Sequence, residues 1–174
     1  MTFREALNWG KEKLQHAGIP EYDLDAWLLL EHVSGLSRAM YFERDREEME
    51  ESCREQYEGA IRKRESRVPL QHITGVQEFM GYEFHVNEHV LIPRQDTEIL
   101  VEEADRAADD TGAKRILDVC TGSGCILLSL LKMNENRTGT GSDLSEPALK
   151  MAEENRRLLE IPEERAAFVQ RELF

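Results

Sequence analysis

The feature that most constrains this chain is an apolar run that leads directly into a turn of small residues. The pattern predicts a β-strand at residues 115 to 119, a glycine-containing loop at 120 to 124 and a helix at 125 to 132. Two further strands are predicted at 139 to 143 and 166 to 170, with a helix between them. Strand, helix, strand, helix and strand in this order are typical of a doubly wound parallel sheet, so an α/β fold is expected.

The loop between the first strand and its helix has the composition of a ligand-binding turn. Small residues let a ligand approach the backbone, and free N–H groups at a helix start favour an anionic group. Gly122 and Gly124 provide this geometry. Asp143, at the end of the next predicted strand, is placed to accept both hydroxyls of a ribose. An adenosine ligand is therefore predicted.

A nicotinamide-binding domain has the same outline and must be distinguished from this pattern. Its fingerprint has a third glycine three residues after the second, and Leu127 occupies that position here. Asp118 lies four residues before Gly122, a spacing typical of S-adenosylmethionine loops. The loop therefore favours S-adenosylmethionine. A glycine-rich turn in another α/β protein remains the alternative at this point.

Residues 1 to 66 have the pattern of helices alone. Thr2 and Glu5 have the spacing of a capping box, and Gly35 is placed to end a second helix. Asp45 is predicted to open a third, long helix. The expected structure is a small helical bundle, which by itself indicates no function.

Residues 67 to 92 change to short β-like runs, with Gly81 available for the turn of a β-hairpin. Asp96 or Thr97 is predicted to cap the helix that follows. The chain is thus expected to contain a helical domain at 1–66, a linking hairpin at 67–92 and a cofactor-binding domain at 93–174.

Charge and cysteine content narrow the classes of function. The chain has 35 Asp and Glu against 22 Lys and Arg, and a net charge of -13 disfavours direct nucleic-acid binding. Its apolar runs are too short for a membrane span, and its charged N-terminus lacks a signal-peptide pattern. Three cysteines without a C-x-x-C pair predict reduced thiols and a cytoplasmic location. The spacing of His and Cys predicts no metal site.

Four segments match the pattern of one known family. They are RVPLQHITGVQEFMGYEFHVNEHVLIPRQDTEILVEEA, ILDVCTGSGCILLSL, SDLSEPALKMAEEN and VQRELF. The LIPR-x-x-TE core of the first, at residues 91 to 98, is much more specific than a glycine loop. On these segments the chain resembles the HemK/PrmC family of release factor glutamine N5-methyltransferases, and the resemblance spans most of the chain.

The resemblance implies that the helical bundle at 1–66 is a substrate-recognition domain, followed by a linking hairpin and the first half of a Rossmann-like class I methyltransferase domain. It implies a protein partner, a peptide chain release factor that is methylated on the glutamine of its Gly-Gly-Gln loop. Arg94 and Thr97 are expected to line the pocket. S-adenosylmethionine is the implied cofactor, and the implied binding residues are Asp118, Cys120, Thr121, Gly122, Ser123, Gly124, Asp143, Leu144, Glu172 and Leu173.

Three positions depart from the family pattern. Cys120 stands where the family usually has glycine, and its Cβ restricts φ, so weaker cofactor binding is expected. Gln95-Asp96 replaces a commoner Pro-Glu pair and keeps the acid. Glu172 replaces a frequent aspartate, which lengthens the reach of the carboxylate toward the adenine.

The sequence contains no Asn-Pro-Pro-Tyr, the motif that in the family holds the substrate amide. We therefore expect no catalytic residue in this chain and a fragment that is inactive alone. A non-catalytic fragment that binds cofactor or a partner is the alternative. In such a fragment the apolar strand at 116 to 119 is expected at an exposed sheet edge, which favours self-association. The acidic charge and the LIPR-x-x-TE core weigh against a further alternative, an adenine-N6 DNA methyltransferase.

Overall fold

The computed structural model describes residues 1–171, and contacts divide the chain into two units between Thr74 and Gly75. The three-part division expected from the sequence remains a prediction. The helical unit contains α1 (Phe3–His16), α2 (Tyr22–Ser34), α3 (Arg38–Arg44), α4 (Glu51–Glu65) and α5 (Leu70–Thr74). The α/β unit contains β1 (Val76–Phe79), β2 (Tyr82–His85), α6 (Gln95–Thr111), β3 (Arg115–Val119), α7 (Cys125–Met133), β4 (Thr138–Asp143), α8 (Glu146–Leu158) and β5 (Ala166–Gln170).

The helical unit has a core of its own. The predicted capping box is present, since the Thr2 hydroxyl accepts from the Glu5 N–H and the Glu5 carboxylate accepts from the Thr2 N–H. Gly35, with φ at 68°, ends α2 as predicted. Both tryptophans of the chain pack in this core, which also contains Leu7, Leu14, Leu30, Tyr57 and Ile61; the tryptophans are Trp9 and Trp27.

The prediction that Asp45 opens a long helix is wrong. Asp45 follows the end of α3, and α4 begins only at Glu51. The Asp45 carboxylate is paired with the Arg4 guanidinium, and its carbonyl accepts from the Arg4 N–H at 2.9 Å. These contacts hold the segment after α3 against the start of α1, so tertiary contacts override the local helical pattern.

A β-hairpin opens the α/β unit, as predicted. β1 and β2 are antiparallel, from the Val76↔His85 pair to the Phe79↔Tyr82 pair. Met80 and Gly81 form the turn with φ at 54° and 74°, which suits a tight hairpin connection. The preceding short helix α5 was not predicted from the sequence.

The three parallel strands lie in the order β3-β4-β5, and the two connections run through α7 and α8. The predicted α/β fold, with a Rossmann-like beginning, is confirmed. Gly139 and Gly141 of β4 have no side chains, and this leaves room for Leu127 of α7 and Phe168 of β5. The glycine-rich strand is thus a packing requirement of this sheet.

Strand β3 pairs only with β4 among the described residues. Its burial alternates, and the side chains of Leu117 and Val119 are 69% and 40% exposed. Parallel strands are ordinarily covered on both faces. Within the described residues, one face of β3 is therefore exposed, and so is the edge that does not pair with β4.

Helix α6 begins one to two residues before the predicted cap. Arg94 is the N-cap, and no side chain accepts from the first turn of the helix. Asp96 and Thr97 lie inside that turn, so the prediction that one of them caps the helix is wrong. Asp96 still carries its negative charge near the positive end of the helix dipole.

Within residues 1–171, no helix combines the length and apolar character that crossing a bilayer requires. In the same part of the chain, no three His, Cys, Asp or Glu side chains gather closely enough to hold a metal ion. The three cysteines are free thiols: Cys53 half-buried, Cys120 exposed and Cys125 buried.

Candidate functional site

The glycine loop is closed against the carboxyl ends of β3 and β4 by two carboxylates. The Thr121 hydroxyl donates to Asp118 Oδ2 at 2.6 Å. The Gly122 N–H donates to Asp143 Oδ2 at 2.9 Å, across 21 residues of sequence. Because both carboxylates hold the same loop, the structure brings together the two acids that the sequence singled out.

The loop has three left-handed residues, each separated from the next by one other. Cys120 has φ at 63°, Gly122 at 54° and Gly124 at 79°. The two glycines adopt this conformation without steric cost, whereas the Cβ of Cys120 does not. The expected restriction on Cys120 is therefore confirmed as a backbone conformation that favours glycine.

Asp143 is the last residue of β4, and both of its carboxylate oxygens already accept backbone N–H groups. Oδ1 accepts from Ser145 at 3.0 Å, while Oδ2 accepts from Gly122. Each carboxylate oxygen has lone pairs for more than one donor. The group can therefore hold the loop and still accept hydroxyl donors from a ribose.

The surface beside the carboxylates has room for a ligand. A Cβ placed on Gly122 meets no atom within 4 Å. Leu144, the residue after Asp143, is 63% exposed and offers an apolar contact beside the acid. Its carbonyl accepts from the Gln170 side chain at 2.9 Å, which joins the ends of β4 and β5. The residues present thus fit an adenosyl group.

Electrostatics at the site are those of a partly buried acidic pair. Burial raises the pKa of Asp118, and the nearby Asp143 charge raises it further, while the hydrogen bond from Thr121 acts in the opposite direction. Burial also raises the pKa of the Cys125 thiol to about 11, so that group is an inert packing residue. Two carboxylates favour a ligand that carries positive charge.

Ser123 and Asn155 form a buried connection under the loop. Ser123 is 2% exposed, and its carbonyl accepts from Asn155 Nδ2 at 2.9 Å. Asn155 was missed at the sequence level, although one signal was available. It is an amide on the α8 face that also carries the buried Met151 and Ala152, where an apolar residue is the usual choice.

Arg94 and Thr97 lie at the start of α6, where the Thr97 N–H donates to the Arg94 carbonyl at 2.9 Å. Among residues 1–171, no hydrogen bond or ion pair joins either side chain to the glycine loop, and their place in the pocket remains a prediction. Glu172 and Leu173 lie outside the described residues. Glu98, which the sequence did not single out for a role, accepts from the Met80 N–H at 2.7 Å and holds the hairpin turn.

Residues 5–75 match the family described as the PrmC N-terminal domain. Three curated relatives, each called release factor glutamine methyltransferase, align with nearly the whole chain. The Deinococcus radiodurans protein is 37% identical over 155 residues, which are 89% of this chain and 56% of the relative. The Moorella thermoacetica protein is 38% identical over 91% of this chain and 56% of the relative, and that of Clostridium acetobutylicum 36% over 92% and 56%.

The chain thus matches the PrmC N-terminal domain over residues 5–75, and most of its length is similar to proteins called release factor glutamine methyltransferase. The resemblance read from the four sequence segments is thereby confirmed. The chain spans about half the length of the curated relatives that it matches.

Proposed function

We propose that this chain binds S-adenosylmethionine at the glycine loop and Asp143. We further propose that it supplies the cofactor-binding part of an enzyme that methylates a release factor on its Gly-Gly-Gln glutamine. The observation that carries the proposal is the Asp143 carboxylate held at 2.9 Å from the Gly122 N–H. A cytoplasmic location belongs to the same proposal, because free thiols suit a reducing compartment.

Each acid has a separate task in the proposed site. Asp143 accepts the ribose hydroxyls, and Asp118 keeps the loop in shape through Thr121. Together their negative charge attracts a ligand that carries both a sulfonium and an ammonium group. Leu144 provides apolar contact beside the sugar.

The bound cofactor supplies an electrophilic methyl group. The glutamine amide is a poor nucleophile because its lone pair is delocalised, so the reaction depends mainly on alignment with that methyl. The glycine loop and Asp143 would hold the cofactor, whose sulfur would act as the leaving group when the methyl is transferred, and the amide proton would pass to solvent. No residue of this chain is assigned to hold the amide, since the sequence has no Asn-Pro-Pro-Tyr.

Calorimetric titration of the chain with S-adenosylhomocysteine tests the cofactor assignment. We expect binding of one equivalent, and we expect NAD to leave the affinity unchanged when it is added as a competitor. The absence of binding would reject the proposed site. Displacement by NAD would assign it to the nicotinamide class.

A chimera tests the reaction. The 174 residues are joined to the part of the Deinococcus radiodurans relative that follows its aligned region. The chimera is incubated with cofactor and a release factor, and the products are analysed by mass spectrometry. One added methyl on the Gly-Gly-Gln glutamine is expected. A release factor of unchanged mass, from a folded chimera that binds cofactor, would reject the assigned substrate.

A non-catalytic binding role is the second candidate, and one observation favours it. The exposed Leu117 and Val119 lie on β3, which has a free edge within residues 1–171. Such an edge presents unpaired N–H and C=O groups to another strand. Self-association through β3 is therefore proposed for the chain in isolation.

A further inference from the structure

Asn155 of α8 is completely enclosed, with 0% exposure. Its side-chain oxygen accepts from the His85 N–H at 2.6 Å. Its side-chain nitrogen donates to the His85 carbonyl at 3.0 Å and to the Ser123 carbonyl at 2.9 Å. A buried amide without partners is costly, and these three bonds satisfy it.

One side of this connection is the end of the hairpin. His85 is the last residue of β2 and pairs with Val76 of β1. Its backbone groups bind Asn155, whereas the next residue, Val86, donates to Gly75 at 2.9 Å. In an antiparallel strand, the backbone N–H and C=O groups of successive residues point alternately to one side of the strand and to the other. Asn155 thus gives the outer edge of β2 the hydrogen bonds that a neighbouring strand would provide.

The other side of the connection is the glycine loop. Ser123 lies between the left-handed Gly122 and Gly124. Gly124 packs closely on the same helix, since a Cβ placed there would lie 3.2 Å from the Ala152 Cβ. Ala152 precedes Asn155 by about one helical turn, so one face of α8 supports the loop at two points.

We infer that Asn155 is a positioning residue that couples the end of the hairpin to the shape of the glycine loop. A protein that grips the hairpin thereby changes the affinity of the loop for its ligand, and the ligand changes the affinity for that protein by the same factor. The identity of the ligand rests on the proposed function. The mechanical coupling rests on the Asn155 bonds alone.

Amide hydrogen exchange of Asn155→Ala tests the coupling without a ligand. Two control variants loosen the hairpin and leave the Ser123 carbonyl bonded. Met151→Ala removes packing against Val86 and Val90, and Glu154→Gln weakens the contact of Glu154 with the His85 ring at 2.6 Å. We expect faster exchange at both 82–86 and 121–125 in Asn155→Ala, and faster exchange confined to 82–86 in the controls.

The Kd for S-adenosylhomocysteine, measured by calorimetry, distinguishes a change in the shape of the loop from a general loss of stability. We expect the Kd to rise about tenfold in Asn155→Ala, the effect of losing about one net hydrogen bond that orders the loop. Met151→Ala and Asn155→Ala are each measured at a temperature at which the same fraction of the protein is unfolded. Under that condition, Met151→Ala is expected to keep the wild-type Kd within about twofold. In the wild type, the same ligand is expected to slow exchange at His85.

Exchange that accelerates at only one of the two segments in Asn155→Ala would overturn the inference. If that variant does not fold, Asn155→Ser, which keeps one short hydroxyl, is judged by the same criterion. A wild-type chain that binds no S-adenosylhomocysteine would overturn the proposed function instead, and amide exchange would still decide the coupling.

Discussion

The Gly122 N–H donates to the Asp143 carboxylate at 2.9 Å, and this bond joins the glycine loop to the end of the neighbouring strand. Ser145 donates to the second oxygen of the same carboxylate. One acid therefore fixes the loop, the end of β4 and the start of α8. A ligand that binds Asp143 meets a group whose position is already determined.

Replacement of Asp143 tests the sugar-binding role directly. Asp143→Ala is expected to raise the Kd for S-adenosylhomocysteine at least about tenfold, because hydrogen bonds to a charged group are the stronger kind. Calorimetry measures the change. Glu146→Gln is the control, since this nearby acid is exposed and paired only with Lys150. Equal affinity in Asp143→Ala and wild type would contradict the assignment.

Cys120→Gly is expected to stabilise the α/β unit. A left-handed L-residue costs roughly 1–2 kcal/mol, and the greater freedom of glycine in the unfolded chain offsets roughly 0.5–1 kcal/mol of this gain. The free energy of unfolding should therefore rise by up to about 1.5 kcal/mol. Native-state amide exchange across 115–171 measures it. Gly122→Ala is the opposite control. Because Gly122 has φ at 54°, an alanine there should lower the free energy of unfolding.

The raised pKa of Asp118 predicts a pH dependence of stability. As pH rises above 3.8, the ordinary pKa of this carboxyl, the unfolded state loses the proton first and the folded state keeps it to a higher pH. The contribution of Asp118 to stability therefore falls as pH rises through that window, and it stays low above the folded pKa. Asp118→Asn, which keeps an oxygen acceptor, should gain stability over wild type as pH rises from acid to neutral. Denaturant unfolding at a series of pH values measures the difference.

Glu146 provides the comparison of opposite sign. Its ion pair with Lys150 lowers the pKa of this carboxyl, so its contribution appears as pH rises and disappears toward acid. Glu146→Gln should therefore lose stability relative to wild type over the range in which Asp118→Asn gains it. A parallel response of the two variants would show that Asp118 is not the group responsible.

Leu117→Lys is expected to reduce self-association through β3. A lysine on an exposed edge opposes pairing with another strand. Light scattering over a concentration series should show wild-type mass rising with concentration and a constant monomer mass for the variant. Leu100→Lys is the control, because Leu100 is also exposed (55%) but lies on α6. A wild type that stays monomeric at every concentration would contradict the prediction.

Local chemistry explains which parts of the fold were predictable. The turn residues and the alternation of strand and loop fix β3, the glycine loop and the start of α7 within a few positions. The Arg4 and Asp45 side chains meet across 41 residues of sequence, and no local pattern indicates that the segment after α3 turns back to the start of α1.

The same distinction holds at the site. Asp143 was predictable because it ends a strand next to a glycine loop. Asn155 binds partners 70 and 32 residues away, and only the folded chain brings them to one helix face. Sequence therefore indicated the groups suited to touch a ligand and missed one that holds them in position.

The placement of both indole side chains has a practical consequence. Trp9 and Trp27 pack in the core of the helical unit, so residues 75–174 contain no tryptophan. Intrinsic fluorescence excited selectively at indole therefore follows the melting of the helical unit alone. The α/β unit, which carries the glycine loop, gives no indole fluorescence. A single tryptophan introduced there would therefore be the one indole of that unit and would report on its unfolding.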